Sequence, residues 1–304
     1  TLYGGDIDVS TNLTSTRSGS AISVNAIKKI TVASSTTLET LQVNINLTAS
    51  SAGGTLGGLV LNSASALKSF GGNITLGGGY TGTLGAGLYS ATANAPGVLM
   101  TTNTIDAAGG NINIYGRNTA SYDDGVRING STISTSGTGA IGIYGDSYGG
   151  SNGTTHFSGV TLMGTGTTIQ TASGDIEIQG VLTNANSTNA AGVSFFNGSG
   201  SGGSVQILSN SGDVLISGNE LSTLTGTYGI NHWSNGNVYI GSPSNSAWTS
   251  SSNVTLRFSD IWPAGTNTIN VKTTGGVTFE PYGSNFTSAL TFPASNVLVA
   301  SGAS

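Results

Sequence analysis

Gly109-Gly110-Asn111-Ile112-Asn113-Ile114 carries, in six residues, a corner and the strand that leaves it. The glycine pair supplies the positive φ that a tight corner requires. Asn tolerates left-handed backbone and bonds to nearby amides. Ile112 and Ile114 then fall on one face of an extended segment and Asn113 on the other. A strand this short has no stability of its own. It needs copies of itself stacked above and below.

Copies are present. They read Gly4-Gly5-Asp6-Ile7-Asp8-Val9, Gly71-Gly72-Asn73-Ile74-Thr75-Leu76, Ser173-Gly174-Asp175-Ile176-Glu177-Ile178, Ser211-Gly212-Asp213-Val214-Leu215-Ile216 and Asn235-Gly236-Asn237-Val238-Tyr239-Ile240. Weaker ones are Gly139-Ala140-Ile141-Gly142-Ile143 and Gly275-Gly276-Val277-Thr278-Phe279. All are expected to turn the same corner, with Gly72, Asn73, Gly110, Asn111, Gly174, Asp175, Gly212 and Asp213 as its structural residues.

Between these copies lies a second signal, Gly-apolar-x-apolar, at Gly58–Leu61, Gly97–Met100, Gly125–Ile128, Gly159–Leu162 and Gly192–Phe195. A third follows it at Ser131–Thr135 and Thr167–Thr171. Three short strands and three corners make one coil. The expected fold is therefore all-β: a single-stranded, right-handed parallel β-helix, a three-sided β-solenoid. The best-defined coils use about 30–35 residues, more than three strands and tight corners need. The surplus sits in Ser/Asn/Gly-rich segments, Arg117 to Asp124, Asp146 to Thr155 and Asn184 to Ala191, expected to project as loops.

Residues 1–304 read as one elongated domain, with 1–70 as irregular coils, 71–241 as the best-defined repeats and 242–304 as less regular coils. In the first part Ile22-Ser23-Val24, Ile30-Thr31-Val32 and Leu41-Gln42-Val43-Asn44-Ile45 alternate as strands; in the last, Val254–Leu256, Ile269–Val271 and Leu290–Phe292 do. Neither end carries a polar or helical cap, as in part of a longer chain or in a subunit that stacks end to end.

Composition narrows the function. Of 304 residues 49 are Gly, none is Cys and 7% are charged, while 36% are hydrophobic. The apolar fraction suffices for a long thin core and argues against disorder. The net charge is −5, so binding nucleic acid through its phosphates has no electrostatic basis. No apolar run is long enough to span a bilayer. No disulfide framework is possible, and no cofactor or metal motif stands out. His156 and His232 lie far apart with no acidic pair beside them, and read as ordinary surface or wall histidines.

Asp123-Asp124 is the only pair of adjacent carboxylates. Glycoside hydrolysis needs two carboxyl groups across the bond, but the clustered acids and bases of polysaccharide-degrading enzymes are missing. The pair is expected to cap a solvated loop, and the chain is expected not to be an enzyme. The aromatic residues are more informative. Tyr115 and Tyr144 occupy equivalent outward places on adjacent coils and are expected to stack as an external ladder. Tyr122 and Tyr148 adjoin them, with Asp124, Arg127 and Asp146 nearby. Such a patch suits a glycan or another subunit; the alternative is a ladder that only stabilises stacking.

The repeats Gly71–Gly77, Gly110–Ile114, Gly125–Gly130 and Ser173–Gly180 resemble the central repeat region of filamentous-haemagglutinin-like large exoproteins of Gram-negative bacteria. The resemblance is best over about residues 71–241, and Gly276-Val277-Thr278-Phe279-Glu280-Pro281 shares it. It implies a secreted, surface-associated protein with an outer-membrane export partner, acting in adhesion, aggregation or matrix building. Its partners would be glycans or proteins of host or neighbouring cells, or copies of itself. The family's Asn-Pro-Asn secretion motifs are absent. An adhesin shaft, a fibre or sheath subunit, and a polysaccharide-active enzyme or phage tail spike are the competing expectations, the last disfavoured.

Overall fold

The computed structural model describes residues 1–16, 19–49, 58–77, 89–90, 96–118, 123–147, 157–183, 190–197, 204–221, 226–234, 236–242, 250–263, 268–286 and 297–301. Among these there is no helix, and every strand pairing is parallel. The strands form three sheets of eleven, nine and ten members, which are the three walls of a β-solenoid. Each coil visits wall 1, wall 2 and wall 3 in turn.

Wall 1 stacks Leu2–Gly4, Ile22–Ala26, Ile45–Thr48, Ile74–Gly77, Ile112–Asn118, Ile141–Ser147, Ile176–Leu182, Val214–Glu220, Val254–Phe258 and Val277–Pro281. Tyr89–Ser90 joins it beside Arg117 and Asn118. The Gly-apolar-x-apolar signals all lie in wall 2, and the Ser131–Thr135 and Thr167–Thr171 signals lie in wall 3. The expected three-strand coil is therefore observed.

The core is a set of one-residue columns. Along wall 1, Ile45, Ile74, Ile112, Ile141, Ile176, Val214 and Val254 are in register, each at most 1% exposed. Along wall 3, Leu38, Leu67, Ile105, Ile133, Ile169, Ile207, Ile240 and Val271 do the same. Burying each such side chain contributes roughly 1.5–3 kcal/mol. Because the walls face one another across a single interior, the columns form one continuous core.

The corner entering wall 1 explains the repeat. The side-chain Oδ1 of Asn44 accepts from the N–H of Asn73, that of Asn73 from Asn111, and that of Asn111 from Ala140, at 2.8–2.9 Å. Asp175 likewise accepts from Asp213, Asp213 from Asn253, and Asn253 from Gly276, at 2.8–3.1 Å. Each Asn or Asp thus reads the coil above it. From Gly72 onward the residue at the position before each rung is small, because the coil below presents its carbonyl there. A Cβ on Gly110 would lie 2.0 Å from the Gly72 oxygen, and one on Gly174 1.9 Å from the Gly139 oxygen. Ser252 takes the glycine's place in one coil and donates its hydroxyl to the Ser209 carbonyl.

Two copies of the repeat lie elsewhere. Ile7–Val9 belongs to wall 2, and Asn237–Gly241 to wall 3. The motif specifies a corner of a solenoid but not which one. Asp6 still makes its own rung, to the Lys29 N–H at 3.2 Å, and Asn12 makes one to Thr37 at 2.8 Å. Early in the chain, Leu41-Gln42-Val43 is a corner rather than strand. Gln42 takes a φ of 60°, Leu41 is 52% exposed, and the strand starts at Ile45. Leu290–Phe292 and His156 lie outside the described residues.

His232 departs from the surface or wall role expected of it. It lies in wall 2 but faces the interior, in the column Met100, Ile128, Leu162, Phe195, His232, and is 2% exposed. Burial lowers its pKa to about 4, against a backbone hydrogen bond with Gly236 that raises it. In the unfolded chain it titrates near 6.5. The unfolded state therefore binds the extra proton between these values, and stability falls as pH drops from about 6.5 towards 4. The loss is roughly 3 kcal/mol. His232→Leu should remove this component from the pH dependence of the urea midpoint.

Ala140 offers no side-chain acceptor, so the ladder has a missing rung between Asn111 and Asp175. Ala140→Asn should restore it and raise stability by about 1 kcal/mol. Gly174→Ala should cost several-fold more, through overlap with the Gly139 carbonyl. Denaturant unfolding of the two variants measures both effects.

Candidate functional site

The expected loop segments start later than their composition suggests. In four consecutive coils the wall 1 strand runs on for seven residues, to Asn118, Ser147, Leu182 and Glu220, in register throughout. Arg117, Asn118, Asp146 and Ser147 are thus strand residues. The returning chain pairs from coil to coil as well, with Gly97 N–H to Asp124 O, Gly125 N–H to Ser158 O, and Tyr228 N–H to Ala190 O. Outgoing and returning layers together form a fin along the corner between walls 1 and 2. The segments 119–122, 148–156, 184–189 and 222–225 connect the two layers and lie outside the described residues, with Tyr122 and Tyr148 among them.

The layers meet at a waist of glycines. A Cβ on Gly116, Gly145, Gly180 or Gly218 would approach the carbonyl oxygen of Gly125, Gly159, Gly192 or Gly229 to between 1.8 and 2.2 Å. Only glycine on both sides allows backbone to pass backbone this closely. The sequence carries the signal as apolar-x-apolar-x-Gly, in Ile114-Tyr115-Gly116 and Ile143-Tyr144-Gly145, answered by the glycine that opens wall 2. Reading each strand as ending at its second apolar residue hides it.

Beyond the waist the fin has its own small interior. Leu182 packs with Ala190, both at most 1% exposed. The Ser147 hydroxyl donates to the Asp123 carbonyl at 2.8 Å, and the Thr227 hydroxyl to the Glu220 carboxylate at 2.8 Å.

The candidate residues divide between the two sides of this fin. On the wall 1 side, Tyr115 and Tyr144 are in register and their rings stack, with centroids 5.1 Å apart and planes 13° apart. The rings are nearly parallel and stacked, so each turns a face to the other. The Tyr144 hydroxyl donates to Glu177 at 2.6 Å, and Gln179 bonds to the same carboxylate. Burial raises the Tyr115 pKa, and the Glu177 charge adds to it. Two residues along the same strands, Arg117 and Asp146 pair at 3.0 Å across the coils, and the Thr183 hydroxyl donates to Asp146 at 2.9 Å. Burial raises the Asp146 pKa, against Thr183 and Arg117, which lower it. This surface therefore offers tyrosine edges and hydroxyls, an amide and an ion pair.

Asp124 and Arg127 stand apart on the wall 2 side. Asp123 and Asp124 were expected on a solvated loop, but they are 3% and 1% exposed. The reason is Arg127, three and four residues on, which reaches back with Nε to Asp124 at 2.6 Å and with Nη2 to Asp123 at 2.5 Å. Asp124 also accepts from the Ser158 N–H at 2.7 Å and the Thr161 hydroxyl at 2.8 Å, both in the coil above. Burial alone would lower the Arg127 pKa, but Asp124 and Asp123 overcome it and raise it. This network ties two coils together where the chain returns to the wall.

No group of three or more His, Cys, Asp or Glu suited to a metal ion is found among the described residues. Comparison of the chain with protein-family models, curated proteins and solved structures finds no match.

Removing the guanidinium leaves two enclosed carboxyl groups without their cation. Arg127→Met should therefore destabilise the protein by roughly 3 kcal/mol. Arg117→Met leaves one carboxylate that keeps Thr183, and should cost less. Thermal unfolding of the two variants gives the order.

Proposed function

We propose that this chain is the shaft of a secreted, cell-surface β-solenoid that mediates attachment or aggregation. The observation that carries the reading is the placement of the long connections. In six consecutive coils the chain between wall 1 and wall 2 is lengthened, at 50–57, 78–95, 119–122, 148–156, 184–189 and 222–225. A solenoid that brings the lengthened connections of six consecutive coils to one corner is suited to presenting them to another surface. The partners proposed are glycans or proteins of host or neighbouring cells. The cell surface of a Gram-negative bacterium, and export with an outer-membrane partner, are proposed on the resemblance of the repeats.

An enzymatic role is disfavoured because the adjacent carboxylates Asp123 and Asp124 are enclosed and already bonded to Arg127, Ser158 and Thr161. Carboxyl groups that serve a glycosidic bond must reach it.

Electron microscopy and cell binding test the reading together. Isolated rods that bind cells, with binding lost when 184–189 is replaced by a short Gly-Ser link, support it. Rods that bind no cell or glycan surface count against it. Fibres with a continuous axial repeat of about 4.8 Å would move the assignment to an extracellular fibre or sheath built by end-to-end stacking. The Tyr115→Ser, Tyr144→Ser double variant separates stacking from binding. Unchanged attachment with reduced stability would make the ladder purely structural.

A further inference from the structure

At the returning edge of the fin, two carboxyl groups share one cation. The Asp123 and Asp124 side chains are 4% and 1% exposed, and Arg127 is the guanidinium bonded to both. The Asp124 carboxylate accepts from three donors: Arg127 Nε, the Ser158 N–H and the Thr161 hydroxyl. Asp123 receives Arg127 Nη2 and the Asp124 N–H on one oxygen, Oδ1. The neighbouring Arg117–Asp146 pair is balanced within itself. The enclosed group is therefore one negative charge in excess when both aspartates are ionised. Like charges enclosed together cannot both ionise at the usual cost.

We propose that Asp123 is a proton-binding latch, which takes up a proton on mild acidification and so strengthens the seam between the coils joined by Asp124, Ser158 and Thr161. The division of labour follows from the contacts. Asp124 has the larger set of donors and reaches the coil above, so it holds the seam. Asp123 has the poorer set and carries the proton. Burial pushes the Asp123 carboxyl up to about 6; Arg127 opposes this, Asp124 adds to it, and the Asp124 N–H opposes it. In the opened chain an aspartate titrates near 3.9. The closed seam thus binds the extra proton between these values. The stabilisation is complete below about 4 and is lost as pH rises through about 6. It runs opposite in sign to the effect of His232, which lies further along the solenoid.

Amide hydrogen exchange tests the latch on the intact chain. The Ser158 N–H, bonded to Asp124, and the Gly125 N–H, bonded to the Ser158 carbonyl, report opening of the seam. Their protection factors, corrected for intrinsic exchange, should rise about tenfold between pH 7 and pH 5. In Asp123→Asn the rise should vanish. An unchanged protection in the wild-type chain, or a rise that survives in Asp123→Asn, overturns the proposal. Should that variant fail to fold, carboxyl carbon NMR of the wild-type chain decides. A midpoint near 6 for Asp123 supports the latch, and a midpoint at or below 4 overturns it.

Discussion

Everything in this solenoid depends on backbone lying against backbone at the corners. Where one coil turns into wall 1, a glycine sits over the carbonyl of the coil beneath, and the next residue's Asn or Asp side chain accepts the N–H of the coil above. The first contact sets how closely coils approach. The second sets their register, because a slip of one residue would remove the acceptor and turn each apolar column outward. The core columns follow from these two constraints. In the columns traced along walls 1 and 3 the residues vary among Ile, Val and Leu without disturbing the stack.

The fin is the same solution applied a second time. Glycines at the waist let the outgoing and returning strands cross closely enough for both to continue pairing with their counterparts in neighbouring coils. That extension creates enclosed positions outside the main core. Leu182 and Ala190 fill one level; at another the Ser147 hydroxyl bonds to the Asp123 carbonyl, and on the wall 2 side Arg127 holds the enclosed carboxyl groups of Asp123 and Asp124. A charged group enclosed in this way has to be bonded. The cluster on the returning edge therefore ties coils together as firmly as it is itself tied down.

Much of the architecture is legible in the chain, because a solenoid repeats its local rules. The three strand signals name three walls, and Asn111 or Gly174 can be assigned a task from its neighbours alone. What escapes is anything fixed by the order of coils rather than by local sequence. Gly5-Asp6 and Gly236-Asn237 have the corner motif but turn other corners. The burial of Asp123 and Asp124 depends on Arg127 folding back and on Ser158 and Thr161 in the next coil, more than thirty residues away. His232 looks like an ordinary polar wall residue until its column with Ile128, Leu162 and Phe195 is seen. The tyrosine ladder was legible in its spacing, whereas the turning of one ring face to the other needed coordinates.

The rungs at the wall 1 corner join residues between 23 and 40 positions apart, and none needs a partner further off. A chain built this way has no distant ends to bring together. Each finished coil offers a complete template, with open hydrogen bonds and a row of apolar side chains, to the next stretch of polypeptide. The molecule can wind itself up by accretion from any coil already formed, and its folding time then grows with the number of coils rather than with the difficulty of a long-range search.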